Sequence, residues 1–171
     1  MPQRCDHRSS APLVGATLLF LAALPTVFAA PTTHVSPYSA DVTRLVRELR
    51  SEDARTRAGA AEALGFLRAA EAADGLTKAL EDADTNVRRN SALSLAWCGR
   101  RDHVPALLTA LTDRDWSVRQ SAAVALANLL GKDLPFDGLA DENTRTSQAA
   151  AWRERWLDLS SENGLTECVE A

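Results

Sequence analysis

The segment DWSVRQSAAVALANLLG, residues 115–131, contains an acidic residue, an arginine four positions later and then a run of small and aliphatic side chains. Closely similar segments begin at Asp84 (DTNVRRNSALSLAWCG) and at Asp53 (DARTRAGAAEALGFL), so the three starts are evenly spaced. A fixed period of this length indicates a repeat architecture, in which each unit buries its apolar face only against its neighbours.

Three units of equal length align without a gap, over 40–70, 71–101 and 102–132. The identical columns combine a leucine-striped first half with the Asp, Arg, Ala and Leu of the second half. They are Leu45/Leu76/Leu107, Leu49/Leu80/Leu111, Asp53/Asp84/Asp115, Arg57/Arg88/Arg119, Ala61/Ala92/Ala123 and Leu64/Leu95/Leu126. We therefore treat the unit, rather than any single segment, as the basis of the fold.

Each unit predicts two helices. The first half places apolar residues at i, i+3, i+4 and i+7, the spacing of an amphipathic helix. The repeated aspartates, Asp53, Asp84 and Asp115, then suit helix N-caps, because a carboxylate accepts the free backbone N–H groups of the first turn. No alternating β-branched run predicts a strand. The sequence thus predicts an all-α solenoid of antiparallel helix pairs, with Gly59 weakening the second helix of unit one.

The pattern D-x-x-x-R-x-x-[AS]-A-x-x-L after a leucine-striped helix resembles the short HEAT repeat of phycobiliprotein lyases and many bacterial proteins. The resemblance covers about residues 40–132. It implies a right-handed solenoid whose second helices line the concave side. It also implies that the repeated Asp and Arg residues, Asp53, Asp84 and Asp115 with Arg57, Arg88 and Arg119, bridge adjacent units as a ladder.

The segments that flank the repeats have other patterns. Residues 1–29 combine a basic start, an apolar run and a small-residue end, which predicts a secretory signal peptide and an exported, periplasmic or secreted protein. An uncleaved N-terminal membrane anchor is the alternative. Residues 30–39 read as a flexible leader. Over 133–171 we expect a loop, a capping helix at about 144–159 and a tail, with Trp152 and Trp156 covering the exposed end of unit three.

The sequence contains few residues or motifs that are typical of catalytic or metal-binding sites. A predicted mature chain retains only His34 and His103, and the sequence contains no H-E-x-x-H, C-x-x-C or glycine-rich phosphate loop. We therefore predict a non-enzymatic protein with no cofactor and no metal site. The net charge of −4 argues against nucleic acid as a partner. Cys98 and Cys168 could pair after export, although Cys98 occupies a core column.

Binding residues are expected among the non-repeating positions of the second helices. In unit two, Arg89, Leu93 and Trp97 follow one stripe, a composition typical of an interface hot spot. The candidates in the flanking units are Phe66, Gln120, Val124 and Asn128. These residues predict a scaffold for a protein or peptide partner on the concave face. Two alternatives stay open: Trp97 turns into a seam between repeats, or a terminal segment covers it.

Two other functions remain as alternatives. Through the resemblance, the chain could be an accessory lyase-like protein that acts on a tetrapyrrole-bearing partner. It could also be a purely structural component of the cell envelope. The membrane is a partner only through the N-terminal segment, if that segment is not cleaved.

Overall fold

A computed structural model of the chain describes residues 38–167, with side chains described to residue 161. Seven α-helices make up this part. They are α1 (Ser39–Glu48), α2 (Ala54–Phe66), α3 (Ala73–Ala79), α4 (Thr85–Cys98), α5 (Val104–Ala110), α6 (Trp116–Leu130) and α7 (Glu142–Glu167). Short 3-10 turns, Ala70–Ala72 and Arg101–His103, precede α3 and α5. The predicted signal peptide, the predicted leader as far as residue 37, and Cys168 lie outside the described residues.

The repeats form the predicted helix pairs. Helices α1, α3 and α5 pack on α2, α4 and α6 respectively, and α4 packs between α2 and α6. We call α2, α4 and α6 the second-helix layer. Its helices approach closely because the residues between them are small, as shown by the Ser94 hydroxyl, which donates to the Ala61 carbonyl at 2.7 Å. The all-α solenoid is thus confirmed, without strands in residues 38–167.

The leucine columns form the core. The most deeply buried side chains come from the identical columns and their neighbours, so each unit contributes the same residues to one continuous interior. They include Leu64, Leu76, Leu95, Leu107, Leu111 and Leu126. Gly59 does not interrupt α2, since packing of a buried face outweighs the propensity of one residue.

The three repeated aspartates are the N-caps of the second helices. Asp53, Asp84 and Asp115 each have extended backbone dihedrals and accept backbone N–H groups of the following turn. The pKa of Asp53 and that of Asp115 are lowered, chiefly because each carboxylate also accepts a side-chain hydroxyl, from Thr56 and Ser117. These caps set where each second helix begins.

The ladder differs from the one that the resemblance implies. Arg57 pairs with Asp82 (Nε–Oδ2 2.7 Å) and Arg88 pairs with Asp113 (Nε–Oδ2 2.8 Å). The partner in each case stands two residues before the next cap, so the expected pairing of the arginines with Asp84 and Asp115 is corrected. Those cap carboxylates are turned toward the N–H groups of their own helices. The backbone N–H of each cap residue instead donates to the ladder carboxylate.

The same arginines also close the turn of their own unit. Nη1 of Arg57 donates to the carbonyls of Ser51 and Glu52, and Nη1 of Arg88 donates to those of Asp82 and Ala83. Each guanidinium therefore joins two successive inter-helix turns. At the last unit the acid is replaced by backbone: Arg119 Nε donates to the Gly138 carbonyl at 3.0 Å.

Helix α7 begins with a fourth copy of the capping motif, which the repeat alignment missed. Asp141 accepts the N–H groups of Asn143 and Thr144, and Arg145 donates to the Ala140 carbonyl, as the other arginines do five residues back. The copy follows Asp115 at a shorter interval than the one between the other caps, because a loop replaces the first helix.

The C-terminal helix is longer than the sequence predicts. It begins at Glu142, two residues before the expected start, and continues to Glu167, whereas the prediction ended near 159. No proline interrupts it, and weak helix formers alone do not end a helix. It packs on α5, with Trp152 buried in the core and Trp156 half-buried against it. No helix within residues 38–167 combines the length and the apolar composition that a bilayer span requires.

Candidate functional site

A groove between α2 and α4 opens on the exposed face of the second-helix layer. We call it the α2–α4 groove; its volume is about 400 Å³. The lining residues are Glu62, Gly65, Phe66, Arg68, Asn90, Leu93, Ser94 and Trp97. Three of the residues predicted from the sequence, Phe66, Leu93 and Trp97, therefore come together at one site.

The floor of the groove is made of small residues. A Cβ built on Gly65 would lie 2.8 Å from the Ser94 Cβ and 2.9 Å from the Ser94 Cα, and closer still to the hydroxyl oxygen. Contacts between real atoms are not this short, so the two helices touch here only because residue 65 has no side chain. The larger side chains on either side then rise as walls.

The walls are apolar and exposed. Phe66 is 82% exposed, Trp97 58% and Leu93 39%. These values decide between the two positions considered for Trp97: among the described residues it faces outward and is not buried in a seam. Exposed large apolar side chains that cluster on one face usually mark an interaction surface.

Arg68 holds one end of the groove. Its guanidinium lies over the Trp97 ring, 5.3 Å from the ring centroid, in a cation–π contact. The residue is the second after the end of α2 and has a φ of 50°, in the left-handed region that residues other than glycine rarely adopt. The N–H groups of Arg68 and Ala69 donate to the carbonyls of Gly65 and Leu64, a hydrogen-bond pattern that commonly ends helices with one left-handed residue. The end of α2 thus places a charged side chain against the neighbouring helix.

Arg89 lies near the other end and is half-buried. Its Nε and Nη2 donate to the Asn90 side-chain oxygen, and Asn90 donates in turn to the Ala58 carbonyl on α2. The sequence prediction placed Arg89 on the same stripe as Trp97. In the structure Asn90 lines the groove, and Arg89 flanks it.

The candidates in unit three form a separate site. Gln120, Val124 and Asn128 line a second cavity of about 550 Å³ between α6 and the loop over residues 131–136. The side-chain oxygen of Gln120 also accepts the Gly138 N–H at 3.1 Å, which connects this residue to the loop. The expected single face of seven residues is therefore divided into two.

Sequence reasoning missed Glu62 and Arg68. Glu62 is equivalent to Leu93 and Val124 in the other units, so its position on the exposed stripe could have been predicted from the alignment. The position of Arg68 could not have been predicted, because the sequence pattern does not show that this residue has a positive φ.

Reactive groups are sparse in the described part of the chain. Cys98 is buried, its thiol donates to the Ser94 carbonyl, and burial raises the pKa of the thiol to about 11. His103 is buried and connects the Arg100 backbone N–H to the Asp74 carboxylate, which joins units two and three. No three His, Cys, Asp or Glu residues within 38–167 are grouped so that they could hold a metal ion.

Comparison with known families agrees with this geometry. The family described as HEAT repeats matches residues 73–152, and the family described as PBS lyase HEAT-like repeat matches residues 56–82. The first match ends at Trp152, so it includes the fourth capping motif. No curated protein sequence matches the chain significantly.

Solved structures include a relative of the same fold. The complex of CpcE and CpcF of phycocyanin lyase from Nostoc sp. PCC7120 is 32% identical, with a TM-score of 0.51. The match covers 62% of this chain and 42% of that chain, so this protein corresponds to less than half of its relative. An engineered protein is 25% identical with a TM-score of 0.45, covering 66% of this chain and 51% of that one. Residues 56–152 of the chain are HEAT repeats, and they are of the short type similar to those of phycobiliprotein lyases.

Proposed function

We propose that the protein is a non-catalytic scaffold that binds a protein or peptide partner through the exposed face of its second-helix layer. One observation carries the proposal: Phe66, Leu93 and Trp97 stand exposed around a single groove. Exposed aromatic side chains next to arginine have the composition of binding hot spots. The rigid repeats beneath them supply a preorganised surface, which lowers the entropic cost of binding.

Capture experiments with matched tryptophan variants test this function. Immobilised wild-type protein is compared with Trp97→Ala and with Trp116→Ala, and captured proteins are quantified by mass spectrometry. Trp116 is 50% exposed but lies at the start of α6, outside the groove. We expect Trp97→Ala to lose specific partners that Trp116→Ala retains. Equal capture by all three proteins would refute binding at this face.

We propose as a second candidate that the chain acts on a tetrapyrrole-bearing partner, as an accessory to a lyase. Its support is the 32% identity to a solved structure of the CpcE and CpcF complex of phycocyanin lyase. A titration with phycocyanobilin, followed by visible absorbance, tests it. A red shift that saturates with protein and is lost in Trp97→Ala favours this candidate; an unchanged bilin spectrum argues against it.

We also propose that the scaffold works outside the cytoplasm. The support is the basic, apolar and small-residue pattern of residues 1–29. Fractionation of cells that express the full chain, with N-terminal sequencing of the product, tests the location and the cleavage after Ala29. Recovery of the intact chain in the cytoplasm would overturn export, and recovery in the membrane with residues 1–29 present would indicate an anchor.

A further inference from the structure

We propose that the α2–α4 groove binds an extended acidic peptide, in which a large apolar side chain has a carboxylate two residues before it and another two residues after it. This inference rests on the proposed scaffold function and narrows the chemistry of the partner. Three properties of the groove lead to it: the shape of its centre, the two arginines at and beside it and the single acid on its wall.

The centre of the groove admits one bulky side chain. Gly65 and Ser94 keep the floor low, while Phe66, Leu93 and Trp97 form the walls. A phenyl ring placed between Phe66 and Trp97 would gain edge-to-face or offset contacts with both rings. The volume of about 400 Å³ is within the range of sites that enclose a small ligand, and it exceeds the needs of a single aromatic side chain.

One arginine lines an end of the groove and a second lies beside the groove, against the lining residue Asn90. Arg89 lies two turns before Trp97 on α4, and Arg68 lies over the Trp97 ring. Eight residues of helix correspond to about 12 Å, at 1.5 Å for each residue. Four residues of an extended peptide cover about 13 Å, and alternate side chains point to the same face. Side chains i and i+4 of one extended peptide are therefore spaced like Arg89 and Trp97, the residue whose ring Arg68 covers, and side chain i+2 lies between them.

Glu62, the acidic residue on the wall of the groove, favours an apolar side chain at the central position of the peptide. Glu62 stands in the column of Leu93, between the two arginines. It repels a carboxylate at the central position of the peptide but leaves an apolar side chain unaffected. The chain as a whole has a net charge of −4, so a cationic pair on this one face is a local feature rather than the general charge of the surface.

Both arginines are preorganised. Arg89 is held by Asn90, which is anchored to the backbone of α2, and Arg68 is held on the Trp97 ring. Arginine loses less freedom for each hydrogen bond to a carboxylate when its planar group is already oriented. The groove is therefore arranged for carboxylates rather than for a general apolar surface.

A display experiment tests the proposal with random peptides in place of a natural partner. A library of random heptapeptides is selected on the full chain, after peptides that also bind the Trp97→Ala variant have been removed. We expect enriched peptides with Asp or Glu at i and i+4 and Phe, Trp or Leu at i+2. Enriched peptides without paired acids would overturn the acidic peptide but leave the scaffold function standing. The absence of any peptide dependent on Trp97 would overturn both.

A synthetic probe then measures the contribution of each part. The fluorescein-labelled peptide Ser-Glu-Ala-Phe-Ala-Glu-Ser is titrated by fluorescence anisotropy at low salt. We expect affinity to fall at least about tenfold when the phenylalanine becomes alanine, and by a similar factor when both glutamates become lysine. Arg89→Gln should weaken this peptide about three- to tenfold but leave a glutamine-substituted peptide unchanged. Equal effects of Arg89→Gln on both peptides would refute the ion pairing.

Discussion

Arg88 and Asp113 form a two-pronged ion pair across the boundary between the second and third repeats. Nε lies 2.8 Å from one carboxylate oxygen and Nη2 lies 3.1 Å from the other. Arg88 is buried, and the pKa of its guanidinium is raised, chiefly by the hydrogen bond to Asp113. The pair therefore fixes the angle between two units from inside the array.

Removal of the acid should destabilise the fold strongly. In Asp113→Ala, Arg88 loses its partner while still buried, so the free energy of unfolding should fall by about 2–4 kcal/mol. Asp82→Ala is the matched control, because the same geometry at Arg57 is more exposed to solvent. Urea denaturation followed by circular dichroism measures both. An equal decrease in the free energy of unfolding of the two variants would show that burial of the arginine does not determine the destabilisation.

Acid should weaken the array through carboxylates that are held ionised. The pKa of Asp82 is lowered, first by the hydrogen bond from Arg57, and that of Asp141 is lowered, first by Thr144. A depressed pKa in the folded state contributes stability that is present above the unfolded value, about 3.9, and is lost as pH falls through the folded value.

Urea midpoints between pH 7 and pH 3 test this behaviour. We expect little change down to pH 5 and a steep decline below about pH 4, near the unfolded pKa of aspartate. Asp82→Asn should show a shallower decline than wild type, because one of these carboxylates is absent. A wild-type decline that is complete above pH 5, or a variant curve parallel to it, would contradict the assignment.

Two glycines in the same helix should respond in opposite ways to alanine. Gly65→Ala places a methyl group against Ser94, and overpacking of this kind costs about 1–3 kcal/mol. Gly59→Ala meets nothing within 4 Å and should stabilise the helix by about 0.5–1 kcal/mol. Thermal denaturation measures both changes. Because Ser94→Ala leaves Cβ and Cα in place, it should not fully rescue Gly65→Ala; complete rescue would mean that the hydroxyl alone causes the clash.

The capping helix should depend on one tryptophan. Trp152 is completely buried, so Trp152→Ala should cost about 3–5 kcal/mol, the range for large aromatic side chains in cores. Leu157→Ala, on the exposed side of α7 at 66% exposure, should change the stability by less than about 0.5 kcal/mol. Hydrogen exchange would locate the loss in α5 and α7. Unchanged protection of α5 would show that α7 does not close the array.

The sequence predicted the repeat, the caps and the exposed apolar residues, because each of these depends on spacing within one unit. It did not predict the ladder acids Asp82 and Asp113. The equivalent residue in unit one is Ser51, so this column is not identical in all three units. It missed the motif of Asp141 because the interval before it is shorter than the repeat period. These features depend on contacts between units, which periodicity alone does not show.

The groove was predictable only in part. Phe66, Leu93 and Trp97 were found as non-repeating residues on an exposed stripe. The separation of Gln120 from these residues was not predicted, because it depends on the loop after α6, which forms a second cavity with Gln120. The position of Arg68 depends on one backbone dihedral, which no local pattern specifies.

The Gly138 carbonyl, in place of an aspartate, gives the last arginine of the array an acceptor that is not a side chain. Any arginine in the position of Arg119 can donate to a backbone oxygen, whatever side chains surround it. The last contact of the array therefore tolerates a change of side chain in the loop, whereas the two contacts before it each require an aspartate.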